Sequence, residues 1–223
     1  MTSALILSGA GRYADPWHPF AQTSACLAEI LTGCGVTVTI ATDVDAAMTR
    51  LDGVDLLVVN AGDAARNDLP APDVAALTAA RAGLAAALER GIAVLGTHSA
   101  AASLPDYPSW ETVLGARWLP GRSMHPPIGP ARITVHADRH PIVAGLGDFD
   151  TVDERYSHLR VASDVVPLTA HSLAGVEHPL LWARTAGTSR VVYSALGHDA
   201  GAYESAGLRE LLARAVRWLS GPR

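Results

Sequence analysis

The sequence specifies an α/β fold with a doubly wound, mostly parallel sheet and helices on both faces, and three observations point there. Short apolar or β-branched runs alternate with stretches of helical periodicity, the pattern of successive βαβ units. Two of the runs, Leu56-Leu57-Val58-Val59 and Ala93-Val94-Leu95, are hydrophobic without interruption, as strands covered on both faces must be. Lastly, 223 residues with 49% hydrophobic side chains supply one substantial core, so the whole of 1–223 is expected to form one domain.

In chain order, the first strand spans Ala4 to Ser8 and leads through a loop to a helix from Phe20 to Thr32, ended by Gly33. Val36 to Ala41 is the second strand, and its alternating pattern up to Ile40 suits a place near a sheet edge. Leu56 to Asn60 is the third. Pro70 and Pro72 precede a helix from Asp73 to Arg90 that carries Val74, Leu77, Leu84 and Leu88 on one stripe and stops at Gly91. Ile92 to Thr97 is the fourth strand. Pro and Gly punctuate Pro105 to Pro130, which reads as a long connection with a short helix at Ser109 to Leu114. Strand-like runs resume at Arg132 to Val135, Val165 to Ala170, Leu180 to Ala183 and Arg190 to Ser194. The last helix, Ser205 to Leu219, sets Leu208, Leu211, Leu212, Ala215 and Leu219 on one face.

Charge and composition narrow the partners. The net charge of -5 and the scattered basic residues argue against nucleic acid. No apolar stretch approaches the roughly 20 residues of a membrane span, and no basic region precedes the first apolar run, so a cytoplasmic protein without a membrane partner is expected. Cys26 and Cys34 read as small buried thiols rather than a disulfide or metal pair. Self-association into a homo-oligomer stays open.

Ligands of doubly wound sheets bind past the carboxyl ends of the strands. Four segments fall there: Gly9 to His18, Asn60 to Asp63, His98-Ser99 and Gly197-His198-Asp199. Gly96-Thr97-His98-Ser99-Ala100 has small residues around one functional side chain, the composition of a strand-to-helix elbow that pushes that side chain into the cleft. The residue presented is a histidine, a proton carrier, hydrogen-bond donor or metal ligand rather than a stable nucleophile; the plainer alternative is a histidine bonded within the core. In His198-Asp199 a carboxylate could fix the imidazole tautomer, provided the turn after Gly197 brings the two together. Asp153-Glu154-Arg155-Tyr156 reads first as a solvated turn with a surface ion pair, and second as an acid, a base and a hydroxyl-binding group. His125 lies in the long connection and could fold over the cleft, whereas His136, His158, His171 and His178 carry no spacing argument.

Together with Trp110-Glu111 through Leu114-Gly115-Ala116, His140-Pro141-Ile142 and Pro179 to Arg184, these segments resemble the trehalose-utilisation (ThuA-like) family over nearly the whole chain. The resemblance implies a flavodoxin-like sheet of the class I glutamine-amidotransferase type. Amidotransferases of that fold present a cysteine at the elbow, activated by a downstream His-Glu pair. Here the elbow holds His98, with His198-Asp199 near the downstream position, so thiolate hydrolysis of glutamine is unavailable. The N-terminal loop departs from the family's Gly-His-rich start, having no histidine before His18.

What the resemblance implies is a role in carbohydrate metabolism, on a disaccharide or keto-sugar. In an enzyme of this kind His98 and His198 would transfer protons or act as electrophiles, with Glu154 or Asp199 as carboxylate partner. Trp17, His18, Ser99, His125 and Tyr156 would shape the sugar site, since sugar rings pack on aromatics and their hydroxyls bond to polar groups. A second version adds a divalent metal such as Zn on His18, His98 and His198 with Asp199 or Glu154, without HxH or HExxH spacing to announce it. The alternative from another class is a non-catalytic sugar-binding or assembly protein that kept the fold. A serine hydrolase using Ser99 ranks last, because that hydroxyl is expected to point away from the cleft.

Overall fold

Residues 2–70 and 72–222 are described by a computed structural model; Met1, Ala71 and Arg223, which the expectation of a domain over 1–223 includes, lie outside them. The chain runs β1 (Ser3–Ser8), α1 (Phe20–Gly33), β2 (Thr37–Ala41), α2 (Val44–Met48), β3 (Leu56–Asn60), α3 (Val74–Arg90) and β4 (Ala93–Thr97). It continues with α4 (Trp110–Leu114), β5 (Ala116–Arg117), β6 (Gly129–Val135), β7 (Phe149–Asp153), β8 (Arg160–Val161), β9 (Pro167–Leu173), β10 (Val176–Ala186), β11 (Ser189–Ser194) and α5 (Ala206–Ser220). Side-chain oxygens start the helices where the sequence marks them: Asp73 accepts the Ala76 N–H at 2.8 Å, and Ser205 that of Leu208 at 3.4 Å. Gly91, in the left-handed conformation, ends α3.

The nine-stranded sheet has the order β2-β1-β3-β4-β11-β10-β9-β6-β7. β2, β1, β3, β4 and β11 are mutually parallel, and from β11 onward an antiparallel meander runs through β10, β9 and β6 to β7. That alternation returns β7 to the direction of the parallel strands, so its carboxyl end reaches the same edge as theirs. The strand order reverses between β1 and β3, the switch point at which such sheets open a crevice. α1 packs with α5, and α2 with α3, as two helical layers against the sheet, whose central strands β3 and β4 are buried throughout.

Three features depart from the sequence expectation. α2 was not foreseen; it is short and begins where Asp43 accepts the Ala46 N–H. Val74 is 83% exposed, whereas the rest of the expected stripe faces inward, with Leu84 buried and Leu77 and Leu88 packed against the core; Ala80 and Ala87 are buried beside Leu84. β7 was also missed: Phe149, Thr151 and Asp153 face inward while Asp150 and Val152 are exposed, a polar alternation with little hydrophobic signal. Its position rests on α5, since Phe149 lies against Gly207, where any Cβ would stand 2.3 Å from the ring. Ser205 Oγ adds a hydrogen bond to the Asp150 carbonyl at 2.7 Å.

His171 on β9 is buried, with Nε2 3.2 Å from the Tyr156 carbonyl. Burial, helped by the charges of His178 and Arg155, pushes its pKa down to about 4, against about 6.5 for an unfolded chain. Between those values the unfolded chain holds the extra proton, so stability falls as pH drops from about 6.5 towards 4. His171→Gln should therefore lose less stability than the parent between pH 7 and pH 5, measured by denaturant unfolding; equal losses would show that His171 does not contribute.

Candidate functional site

The loop after β1 is fixed by a buried carboxylate. Asp45 Oδ1 accepts the hydroxyls of Tyr13 at 2.9 Å and Tyr107 at 2.7 Å, while its Oδ2 meets Arg12 Nε at 3.1 Å. Further along, Asp15 Oδ1 accepts the N–H groups of Trp17 at 3.0 Å and His18 at 2.9 Å, a side-chain turn. The same carboxylate takes the His18 Nδ1–H at 2.7 Å. The other ring nitrogen, His18 Nε2, is buried without a hydrogen-bond partner.

At the end of β4 the elbow presents His98 with φ +42°, a left-handed conformation costly for a residue with a Cβ. Two contacts from β11 and its exit hold it there. Tyr193 Oη donates to the His98 carbonyl, and His98 Nδ1–H donates to the Ala195 carbonyl, each at 2.8 Å. The second bond fixes the tautomer, leaving the Nε2 lone pair facing Glu154 and His198. The expected helix after the elbow is a single 3-10 turn, His98–Ala101, because α4 begins only after Pro105 and Pro108 have broken the chain direction.

The exit of β11 reaches Gly197, whose φ of +108° and lack of a Cβ, which would stand 2.6 Å from Tyr203 Oη, are both needed for the turn to His198. Asp153 at the end of β7 ties this turn to Glu154. Its fully buried carboxylate accepts the N–H groups of Gly197 at 2.7 Å, Glu154 at 2.8 Å and His198 at 3.1 Å. Burial pushes the Asp153 pKa up to about 7 although all three donors pull it down. The polar run is therefore no solvated turn: Asp153 and Tyr156 are buried, and Glu154 is half-buried.

Four donor atoms converge here. His98 Nε2 and Glu154 Oε2 are 3.4 Å apart, His198 Nδ1 and Glu154 Oε2 3.2 Å, and His198 Nδ1 and His98 Nε2 3.4 Å. With His18, the set lies within 4.8 Å. Burial holds His98 neutral, with a pKa of about 4 despite Glu154 nearby. For Glu154 burial works upward, but the neighbouring imidazoles of His198 and His98 outweigh it and place the carboxyl well below the usual range. His198 is likewise lowered by burial, yet Glu154 raises it overall.

Two members of the cluster, His18 and Glu154, line a pocket of about 240 Å³ together with Asp15, Trp17, Asp63, Arg66, Trp118 and His125, while His98 is buried and His198 is not part of the lining. Of the residues expected from sequence, His18, His98, Glu154, His198, Trp17, His125 and Tyr156 meet at this site. The Tyr156 ring lies 4.2 Å from that of His98, and His125 Nδ1 3.4 Å from Glu154 Oε1. One expectation changes. Asp199 accepts the Ala202 N–H at 3.2 Å and caps the following turn, because adjacent residues diverge after Gly197. Ser99 touches the pocket, and its hydroxyl donates to the Ala61 carbonyl at 2.9 Å. Asp15, Trp118 and the clamp role of Asp153 escaped sequence reading; only Asp15, three residues before His18, left a recognisable turn signal. A wider recess of about 490 Å³, between Arg90 and Arg190 at the opposite end of the strands, holds no metal-ligating cluster among the described residues.

Asp153→Asn must turn an amide N–H towards a backbone N–H. It should cost about 1 to 3 kcal/mol in denaturant unfolding, and an unchanged midpoint would show that the clamp carries no weight.

The trehalose-utilisation family profile matches residues 4–219. Among curated protein sequences no relative matches. A ThuA-like protein from Parabacteroides merdae shares the fold at TM-score 0.75 and 18% identity, over 97% of this chain and 88% of its own. Another from Bacteroides uniformis matches at TM-score 0.74 and 20% identity, over 98% and 91%. This chain also superposes on 32% of the β-galactosidase from Rahnella sp. R3, at TM-score 0.65 and 13% identity over its full length, which shows the fold alone. Among the described residues no helix is long and apolar enough to cross a membrane. The chain belongs to the trehalose-utilisation (ThuA) family, and with it to carbohydrate metabolism.

Proposed function

We propose that the protein is a metal-assisted enzyme acting on a disaccharide or its keto derivative, with the ion held by His18, His98, His198 and Glu154. One observation carries this reading: His98, held neutral by burial, His198 and the partnerless Nε2 of His18 converge on the Glu154 carboxylate within 4.8 Å of one another. Electron-rich atoms at such distances repel unless a cation lies between them. Ligands about 2.0 to 2.1 Å from a tetrahedral zinc stand about 3.3 to 3.4 Å apart, close to the 3.2 to 3.4 Å separations among His98, His198 and Glu154. The carboxylate of Asp15 behind His18 and the Ala195 carbonyl behind His98 are the outer partners that metal-bound imidazoles use.

A bound divalent ion would supply electrophilic polarisation of a sugar oxygen. The chain itself then needs a proton carrier, and the position of His125 in the pocket lining, 3.4 Å from Glu154 Oε1 and partly exposed, supports that role for it. Loss of a proton beside a keto group leads to isomerisation or elimination, both within reach of one base and one electrophile. Tyr156 would pack on the sugar ring inside the pocket, and Trp17 on whatever the sugar carries beyond its mouth.

Protein purified without chelator or metal-affinity resin and supplemented with zinc, manganese or cobalt should hold close to one ion per chain by elemental analysis. His98→Ala should abolish uptake, and Asp15→Asn should weaken it by about 10- to 100-fold. Sub-stoichiometric metal in the parent after supplementation would remove the ion from the mechanism. Screening trehalose, sucrose and their keto derivatives should show turnover that His125→Ala slows at least about tenfold; binding without turnover would favour the non-catalytic reading.

A further inference from the structure

We infer that the pocket takes a single uncharged terminal hexose ring and directs the rest of the saccharide out over Trp17. The inference rests on the sugar reading proposed above and not on the metal.

Size comes first. A volume of about 240 Å³ falls below the roughly 300 to 1,000 Å³ of pockets that engulf larger ligands, which leaves room for one ring and not two. The inner end is shut by buried residues, Tyr156 and Ser99 among them, so a ring that enters must have its neighbour at the mouth. Only the end of a saccharide meets that condition.

The walls suit a sugar face. Trp118 and Tyr156 lie with ring centroids 4.6 Å apart on the inner side. Trp17 stands at the rim, 58% exposed, yet its backbone is fixed by the Asp15 turn that also aims His18. A large aromatic ring held in water beside the proposed ligand set has no packing role there; it offers a flat apolar surface to a second ring leaving the pocket.

Charge decides against acidic or phosphorylated sugars. Asp15, Asp63 and Glu154 line the pocket against one arginine, Arg66, whose Nε already faces Asp63 Oδ2 at 3.7 Å. A divalent ion at Glu154 would bring this lining to balance and leave no surplus for an anion. The short 3-10 turn after His98 supplies no helix N-terminus for a phosphate either.

Calorimetric titration with glucose, trehalose, glucose 6-phosphate and glucuronate, on metal-free and zinc-supplemented protein, tests the inference. Glucose and trehalose should both bind, trehalose about tenfold tighter. Trp17→Ala should erase that difference while leaving glucose within about twofold, and Trp17→Phe should restore most of it. The two anionic sugars should bind at least about tenfold more weakly than glucose. Equal binding of the anionic sugars, or a trehalose preference that survives Trp17→Ala, would overturn it. So would failure of both neutral sugars to bind protein whose zinc uptake is intact. Sugar binding without zinc uptake would uphold this inference and overturn the metal reading alone.

Discussion

The site depends on a buried carboxylate at the end of a strand that carries little hydrophobic signal. Asp153 binds the backbone of Gly197, His198 and Glu154 at once, and so joins the exit of β11 to the exit of β7. These two strands are far apart in sheet order, and the meander between them would let their ends separate. Phe149 against Gly207 brings β7 back over α5, and Asp153 closes the remaining gap with three buried hydrogen bonds to backbone N–H groups. His198 and Glu154 then share one corner because their main chains share one anchor.

The imidazoles are aimed by the same logic. Each has one nitrogen committed to the protein or to Glu154: His18 to Asp15, His98 to the Ala195 carbonyl, His198 to Glu154. The left-handed backbone at His98 is an unfavourable conformation held by Tyr193 and Ala195, which belong to the neighbouring strand and its exit. Strain maintained by surrounding structure at a cleft is a feature of sites that require one orientation of a side chain. A histidine merely satisfied in the core would need neither the strain nor a second nitrogen facing other donors.

Much of this was legible in the sequence because it rests on patterns that survive without context. The parallel half of the sheet follows from continuous apolar runs and glycine stops, and β1, β3 and β4 fall where those runs lie. The elbow at His98 and the turn at His198 were legible from small residues around a polar one. What escaped was set by tertiary contacts. Nothing local shows that Phe149-Asp150-Thr151-Val152-Asp153 is a strand, since its inward face is half polar and its partner is a glycine on a distant helix. Asp199 looked the better carboxylate for His198 because it is adjacent, whereas the backbone turn sends the two side chains apart and a residue 44 positions upstream, Glu154, takes the place. Likewise, the Asp15 turn could be read from spacing, but not the empty valence it leaves on His18.

A histidine at the elbow also alters what the fold can do. An elbow that carries a thiol needs a base nearby to make a nucleophile. Here the elbow residue is neutral by burial, and the downstream histidine, raised by Glu154, faces it across 3.4 Å. Neither is arranged to activate the other for attack on a substrate, because both point at the same carboxylate. What the arrangement favours is a shared positive centre, either a proton held between His198 and Glu154 or a metal ion among all four groups. The proton can satisfy His198, Glu154 and in part His98, but leaves the buried nitrogen of His18 without a partner. An ion with several coordination positions would use every lone pair that the fold has aimed inward, and that is the ground on which the proposed metal reading stands.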